Sequence, residues 1–144
     1  MEIGYMPATD EDIQPIFNLC KGLIEEYEDL SSIDYSKVLA WVEKKISQNI
    51  SKYIAITLAG EKVGYYCLER QEVKWELDDF YILPSYRGRG IGTVVLKKIC
   101  ESTNGCIYLY VFRNNIGAIS LYNRFGFQTV NVVSNTRQIM ERPG

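Results

Sequence analysis

Apolar residues return every three or four positions between Ile13 and Ile24, through Ile16, Phe17, Leu19 and Leu23, and that spacing predicts an amphipathic helix. Thr9-Asp10-Glu11-Asp12 directly before it supplies capping side chains and the acidic groups a helix start favours. A second helix is predicted from Asp34 to Ile50, with Val38, Leu39, Val42 and Ile46 on one face. The pattern then changes. Tyr53–Leu58 and Val63–Leu68 are rich in β-branched and aromatic residues and read as a hairpin joined by Ala59-Gly60-Glu61-Lys62. A third strand, Val73 to Leu83, ends at Pro84, which cannot continue a paired strand. After Gly90, the positions of Ile91, Val94, Val95, Leu96, Ile99 and Cys100 predict a helix with a broad buried face. Cys106–Phe112 is a short apolar strand, Asn115–Phe125 a helix, and Phe127–Val133 and Arg137–Met140 a closing antiparallel pair. The predicted order is β-α-α-β-β-β-α-β-α-β-β, an α/β (α+β) fold with a central mixed sheet and helices on both faces.

No repeat, low-complexity segment or linker interrupts this pattern, so residues 1–144 are expected to form a single domain. The longest apolar run, Cys106 to Phe112, is too short to cross a bilayer, and Met1-Glu2-Ile3-Gly4-Tyr5 lacks the basic start and apolar stretch of a signal peptide. A cytoplasmic protein with no membrane partner is the expectation. Cysteines at 20, 67, 100 and 106 include no C-x-x-C pair and fit neither a zinc site nor a redox motif. The chain contains no histidine, which excludes His-based metal sites and Ser-His or Cys-His nucleophile pairs. No metal is expected, and any general base must be a carboxylate, Tyr, Lys, Cys or water.

The net charge of −2 hides an asymmetry. Residues 1–80 carry 16 acidic and 8 basic side chains (net −8), whereas residues 81–144 carry 2 acidic and 8 basic (net +6). An acidic half joined to a basic half fits a protein that meets an anion with one part and a cation with the other. Nucleic acid is disfavoured as a partner, because the basic residues are dispersed and the pI is near 5.2.

The anion is addressed by Arg87-Gly88-Arg89-Gly90-Ile91-Gly92, where a strand has just stopped and a helix begins. Glycines let a ligand approach the backbone, successive amides converge on an anion, and the helix adds its positive end. Arg87 and Arg89 add donors suited to phosphate. The run is not a P-loop, which needs G-x-x-x-x-G-K-[ST]. Nor is it a dinucleotide fingerprint, since it reads G-x-G-x-G, follows two hairpin strands and lacks the ribose-side acid. A glycine-rich turn that binds nothing has the same spelling.

These residues resemble the GNAT acetyltransferase superfamily. Its signature [QR]-x-x-G-x-[GA], after a strand ending in V/I-x-P, matches Arg87–Gly92 with Ile82-Leu83-Pro84 upstream. A second signature, N-x-x-A-x-x-L-Y-x-x-x-G-F, matches Asn115, Ala118, Leu121, Tyr122, Gly126 and Phe127 without insertion. The resemblance covers about residues 76–130 and implies a mostly antiparallel sheet, an acetyl-CoA cosubstrate and an amine acceptor. It implies that amides of Arg87, Gly88, Arg89, Gly90, Ile91 and Gly92 hold the CoA pyrophosphate. Phe80, Tyr81 and Ile82 would lie beside the pantetheine arm, with Phe80 and Ile82 facing one edge and the Phe80 amide aimed at the thioester carbonyl. Asn115 would bond the arm, and is equally a helix N-cap.

The resemblance also implies catalytic roles. Tyr122 falls where the family places a phenol that protonates the departing thiolate; the plain alternative is a ring packed in the core. Glu76 lies eleven residues before Arg87, where histone-type members place a glutamate base. Glu76 and Asp78 share a strand face, Asp79 points the other way, and either aspartate is a substitute base. All three also fit as solvated carboxylates. Glu25, Glu26, Glu28 and Asp29 around Tyr27 point to a cationic acceptor, on which Tyr27, Trp41 and Trp75 would stack. A homodimer is common in the family. The competing function is a non-catalytic acyl-CoA sensor of the same fold.

Overall fold

The computed structural model describes every residue from Met1 to Gly144. The chain packs as two compact units, one of Met1–Cys67 with Asp79–Leu83 and the other of Leu68–Asp78 with Pro84–Gly144. Seven strands follow the hydrogen-bonded order β1-β2-β3-β4-β5-β7-β6. Together with four helices they give the expected mixed, mostly antiparallel fold.

The first unit contains β1 (Ile3–Pro7), α1 (Ile13–Tyr27), α2 (Tyr35–Asn49), β2 (Tyr53–Leu58), most of β3 (Glu61–Gln71) and the end of β4 (Lys74–Ile82). The two helices form where the 3.6-residue pattern predicts them, burying Ile16 and Ile24 from α1 and Val42 and Ile46 from α2. Asp34 caps α2 by accepting from the Lys37 amide at 3.2 Å. Ala59 and Gly60 both take positive φ, 51° and 87°, and close the β2–β3 hairpin in two residues. The four-residue link read from the sequence therefore contracts. Glu61 and Lys62 pair with Leu58 and Thr57 because a turn left-handed at both central positions matches the strand twist. Val63 to Cys67 are buried consecutively, so this part of β3 is covered on both faces and shows no polar alternation.

One buried carboxylate ties the start of α1 to β3. Asp12 accepts from the Thr9 amide at 2.9 Å, the Lys62 ammonium at 2.9 Å and the Tyr65 hydroxyl at 2.8 Å. Burial alone would raise its pKa, but these donors and the Lys62 charge outweigh it and hold the carboxyl below its ordinary value.

The second unit is built from the start of β4, α3 (Ile91–Ser102), β5 (Ile107–Phe112), α4 (Ile116–Arg124), β6 (Gln128–Val132) and β7 (Arg137–Arg142). Val95, Leu96, Ile99, Ile107, Leu109, Phe127 and Met140 make its core. Parallel pairing of β4 with β5 runs through Trp75↔Ile107 and Glu76↔Tyr108. β7 continues to Arg142, beyond the expected end at Met140, because Lys74 bonds Glu141 at 3.1 Å and the Arg142 guanidinium donates to the Phe125 carbonyl at 2.9 Å. No helix is long and apolar enough to cross a membrane.

Two expected outcomes follow from the first unit. A Cβ at Gly64 would stand 2.3 Å from the Tyr81 carbonyl oxygen and 3.2 Å from the Ile82 Cα. Gly64→Ala should thus destabilise the protein by about 2 kcal/mol, the scale of core overpacking, as read by urea unfolding. Since the folded-state pKa of Asp12 is depressed, its contribution is present above the unfolded carboxyl value of about 3.9 and is lost as pH falls through the folded value. The melting temperature should fall more steeply below about pH 4 in the native protein than in Asp12→Asn.

Candidate functional site

Beyond β4 the chain makes a short turn over Pro84–Tyr86, closed by the Arg87 amide donating to the Pro84 carbonyl at 3.3 Å. Gly88 and Gly90 then take φ of 77° and 81°, conformations that side chains rarely adopt. Gly90 is the N-cap of α3 and provides no side-chain cap, and no atom lies within 4 Å of where a Gly88 Cβ would stand. The amides of Ile91, Gly92 and Thr93 have no acceptor inside the helix, whose first ladder bond runs from Val94 to Gly90 at 3.2 Å. Space beside bare backbone at the positive end of a helix suits a phosphate. Arg89 folds back on the loop, with its guanidinium 5.1 Å from the Tyr86 ring centre and donating to the Ser85 carbonyl at 3.3 Å. The Arg87 side chain is exposed.

The second motif spells a helix capped at both ends. Asn115 is the N-cap of α4, its Oδ1 accepting from the Ala118 amide at 3.3 Å, which accounts for the N-x-x-A spacing. At the other end the Phe127 amide donates to the Tyr122 carbonyl at 3.1 Å and the Gly126 amide to the Asn123 carbonyl at 3.1 Å. Gly126 sits at φ 88°, and the Tyr122 and Phe127 rings lie 5.6 Å apart. These are the paired bonds and apolar contact of a Schellman stop, and they fix the Y-x-x-x-G-F spacing. Tyr122 is thereby locked in place and buried. Burial, and then the Asp78 carboxylate, push its phenol well above the ordinary value, so it stays protonated at neutral pH.

The three carboxylates of β4 divide between the two units. Glu76 and Asp78 are half-buried in the second. The Tyr108 hydroxyl donates to Glu76 at 3.3 Å, and burial followed by the charges of Glu76 and Asp78 pushes that phenol up to about 12. Sequence reading missed Tyr108. A period-two reading of Cys106–Phe112 finds it, because Ile107, Leu109 and Val111 are buried while Tyr108 and Tyr110 face the other way. Asp79 is buried in the first unit, where its carboxylate accepts from the Tyr53 and Tyr81 hydroxyls and pairs with Lys45 at 3.2 Å. That engagement removes it from the list of substitute bases. Phe80, Tyr81 and Ile82 continue β4 half-buried, and burial with the Asp79 charge lifts the Tyr81 phenol well above its usual range.

Much of the acidic end of α1 is locally used. Glu25 accepts from the Tyr35 hydroxyl at 2.7 Å, Glu28 from the Asp29 amide at 3.1 Å, and Asp29 from the Ser31 amide at 3.1 Å. Trp41 is exposed and already has the Lys45 ammonium 5.7 Å from its ring centre. No group of three His, Cys, Asp or Glu side chains is placed to hold a metal ion.

Comparison with known proteins agrees with this construction. Over its whole length the chain is similar to the structure of PaiA N-acetyltransferase from Thermoplasma acidophilum in complex with coenzyme A, with a TM-score of 0.73 at 20% identity and 100% of both chains covered. It is 31% identical over 141 residues to a spermine/spermidine N(1)-acetyltransferase of Bacillus subtilis, covering 89% of each chain. It is 29% identical over 94 residues to N-alpha-acetyltransferase RimI of Mycobacterium tuberculosis, covering 62% of this chain and 60% of that one. The sequence model of the Acetyltransferase (GNAT) family matches residues 11–127, so the chain belongs to that family and is an acetyl-CoA-dependent N-acetyltransferase.

Proposed function

We propose that residues 1–144 act as one catalytic domain that passes the acetyl group of acetyl-CoA to a primary amine by direct attack in a ternary complex. The observation that carries this reading is the start of α3, where a left-handed glycine opens a helix with no side-chain hydrogen bond at its cap. Gly88, Gly90, Ile91 and Gly92 offer their backbone to the pyrophosphate, and Arg87 and Arg89 add positive charge. Phe80, Tyr81 and Ile82 run beside the pantetheine arm, and the Phe80 amide receives the charge that grows on the thioester oxygen. Asn115 spends its Oδ1 on its own helix, which orients the amide nitrogen to donate to the arm.

Glu76 takes the proton from the acceptor ammonium, directly or through water, and the amine nitrogen then forms its bond to the acetyl carbon. Tyr122 supplies a proton to the sulfur as the carbon–sulfur bond breaks. Burial keeps the phenol protonated at neutral pH, so it holds a proton to give. For the acceptor we favour a small cationic amine of the polyamine class. The similarity to the spermine/spermidine enzyme and the net −8 of residues 1–80 support it.

Thiol release from acetyl-CoA, measured across polyamines, lysine peptides and neutral amines, tests the reading. Polyamines should turn over fastest; preference for a neutral amine would overturn the acceptor assignment, and no release with any amine the reaction itself. Gly90→Asp strains a left-handed position and sets a negative charge against the pyrophosphate, so calorimetry should show CoA affinity lowered by at least about 100-fold. Tyr122→Phe should cut turnover by about 100-fold, the lower range for a lost general acid, with CoA affinity unchanged.

A further inference from the structure

We propose that Asp79 is a positioning residue for the transfer reaction: its carboxylate, gathered by Tyr53, Tyr81 and Lys45, holds the kink in β4 that aims the Phe80 amide. The inference rests on the reading above in which that amide meets the thioester oxygen.

Asp79 lies inside the nine-residue strand β4 at φ 48°. A non-glycine residue is disfavoured there and persists where its surroundings over-determine it. Here they do so through the side chain, which is 4% exposed and bonded from three elements. Lys45 reaches it from α2 at 3.2 Å, Tyr53 from the first residue of β2, and Tyr81 from two residues further along β4 at 2.7 Å. The Tyr81 hydroxyl also engages Cys20 of α1, so the carboxylate links β4 to α2 and β2 directly and to α1 through Tyr81.

The ψ angle of residue 79 sets the plane of the peptide that carries the Phe80 N–H. Whatever fixes Asp79 therefore fixes the direction of that donor. The Tyr81–Ile82 peptide is held independently, because Gly64 allows the Tyr81 carbonyl so close that a Cβ there would stand 2.3 Å away. Phe80 thus sits between two clamped positions. A kink needed only for chain direction would be served by glycine, which takes positive φ without strain. Burying a carboxylate with three partners is the costlier arrangement, and it adds one thing glycine lacks, a defined orientation.

Asp79→Asn keeps the size and a left-handed tolerance but drops the charge, and Tyr81→Phe removes a single donor with little change in volume. Both are measured against the native protein with acetyl-CoA and the best amine. Misaiming one oxyanion donor should lower kcat by about 10-fold in Asp79→Asn and less in Tyr81→Phe, against 100-fold or more when such a donor is removed outright. KM for acetyl-CoA and the calorimetric Kd for CoA, read on the folded fraction, should stay near native in Asp79→Asn, and the melting temperature near native in Tyr81→Phe. The residual dipolar coupling of the Phe80 N–H, read without ligand, should change in both variants. An unchanged coupling overturns the proposal whatever the enzyme binds. A changed coupling with native kcat leaves the kink as described and overturns the role assigned to the Phe80 amide. Loss of kcat and CoA affinity in parallel with the folded fraction would reduce Asp79 to a stabilising residue.

Discussion

An α-helix closes its bonds four residues back, so the first amides of α3 must find acceptors outside the helix. At most helix starts a Ser, Thr, Asp or Asn at the N-cap takes that role, as Asn115 does for α4 and Asp34 for α2. Gly90 cannot. It costs α3 only a few tenths of a kcal/mol relative to a side-chain cap and leaves a cluster of donors at the positive end of a twelve-residue helix. The contrast between α3 and α4 is informative because the same fold uses both solutions within thirty residues. The cap of α4 is met by a side chain, whereas the first amides of α3 are left for an acceptor from outside the helix.

The two buried aspartates of the first unit are expensive in the same currency. A carboxylate taken out of water loses several kcal/mol of solvation and recovers it only with several good donors. Asp12 has the Thr9 amide, Lys62 and Tyr65; Asp79 has Lys45, Tyr53 and Tyr81. Each set draws on elements far apart in sequence, so each carboxylate specifies which elements meet. The difference lies in the backbone. Asp12 sits at a helix start where its conformation is ordinary, whereas Asp79 sits left-handed inside a strand.

Periodicity and punctuation carried most of the fold. Both amphipathic helices, the stop at Pro84 and the helix after Gly90 follow from the spacing of apolar residues and from proline and glycine chemistry. Of the second motif the N-cap at Asn115 was legible, whereas the Schellman stop at Gly126 shows only in the paired backbone bonds of the fold. The hairpin between β2 and β3 was read two residues too long because Ala59 adopts a conformation that alanine rarely takes. β3 carried no alternation to read, since Val63–Cys67 are buried on both faces. The partners of Asp79 were invisible for a different reason. Lys45, Tyr53 and Tyr81 lie 34, 26 and 2 residues from it, and no local pattern links a charge to donors at such separations.

A chain without histidine must divide acid from base by environment alone. A phenol and a carboxylate start far apart in pKa, near 10 and near 4, and in the proposed transfer the phenol keeps its proton until the thiolate leaves while the carboxylate accepts one. Burial acts in one direction on both, since it disfavours whichever form is charged. At Tyr122 the neighbouring Asp78 adds to burial, so both effects favour the protonated phenol. At Glu76 the Tyr108 hydroxyl donates to the carboxylate proposed as the proton acceptor. The raised phenol of Tyr108 cannot compete for that role, because it holds its own proton at neutral pH. Burial and neighbouring charge thus hold the Tyr108 and Tyr122 phenols protonated at neutral pH, which in the proposed reaction leaves Glu76 to accept a proton and Tyr122 to supply one.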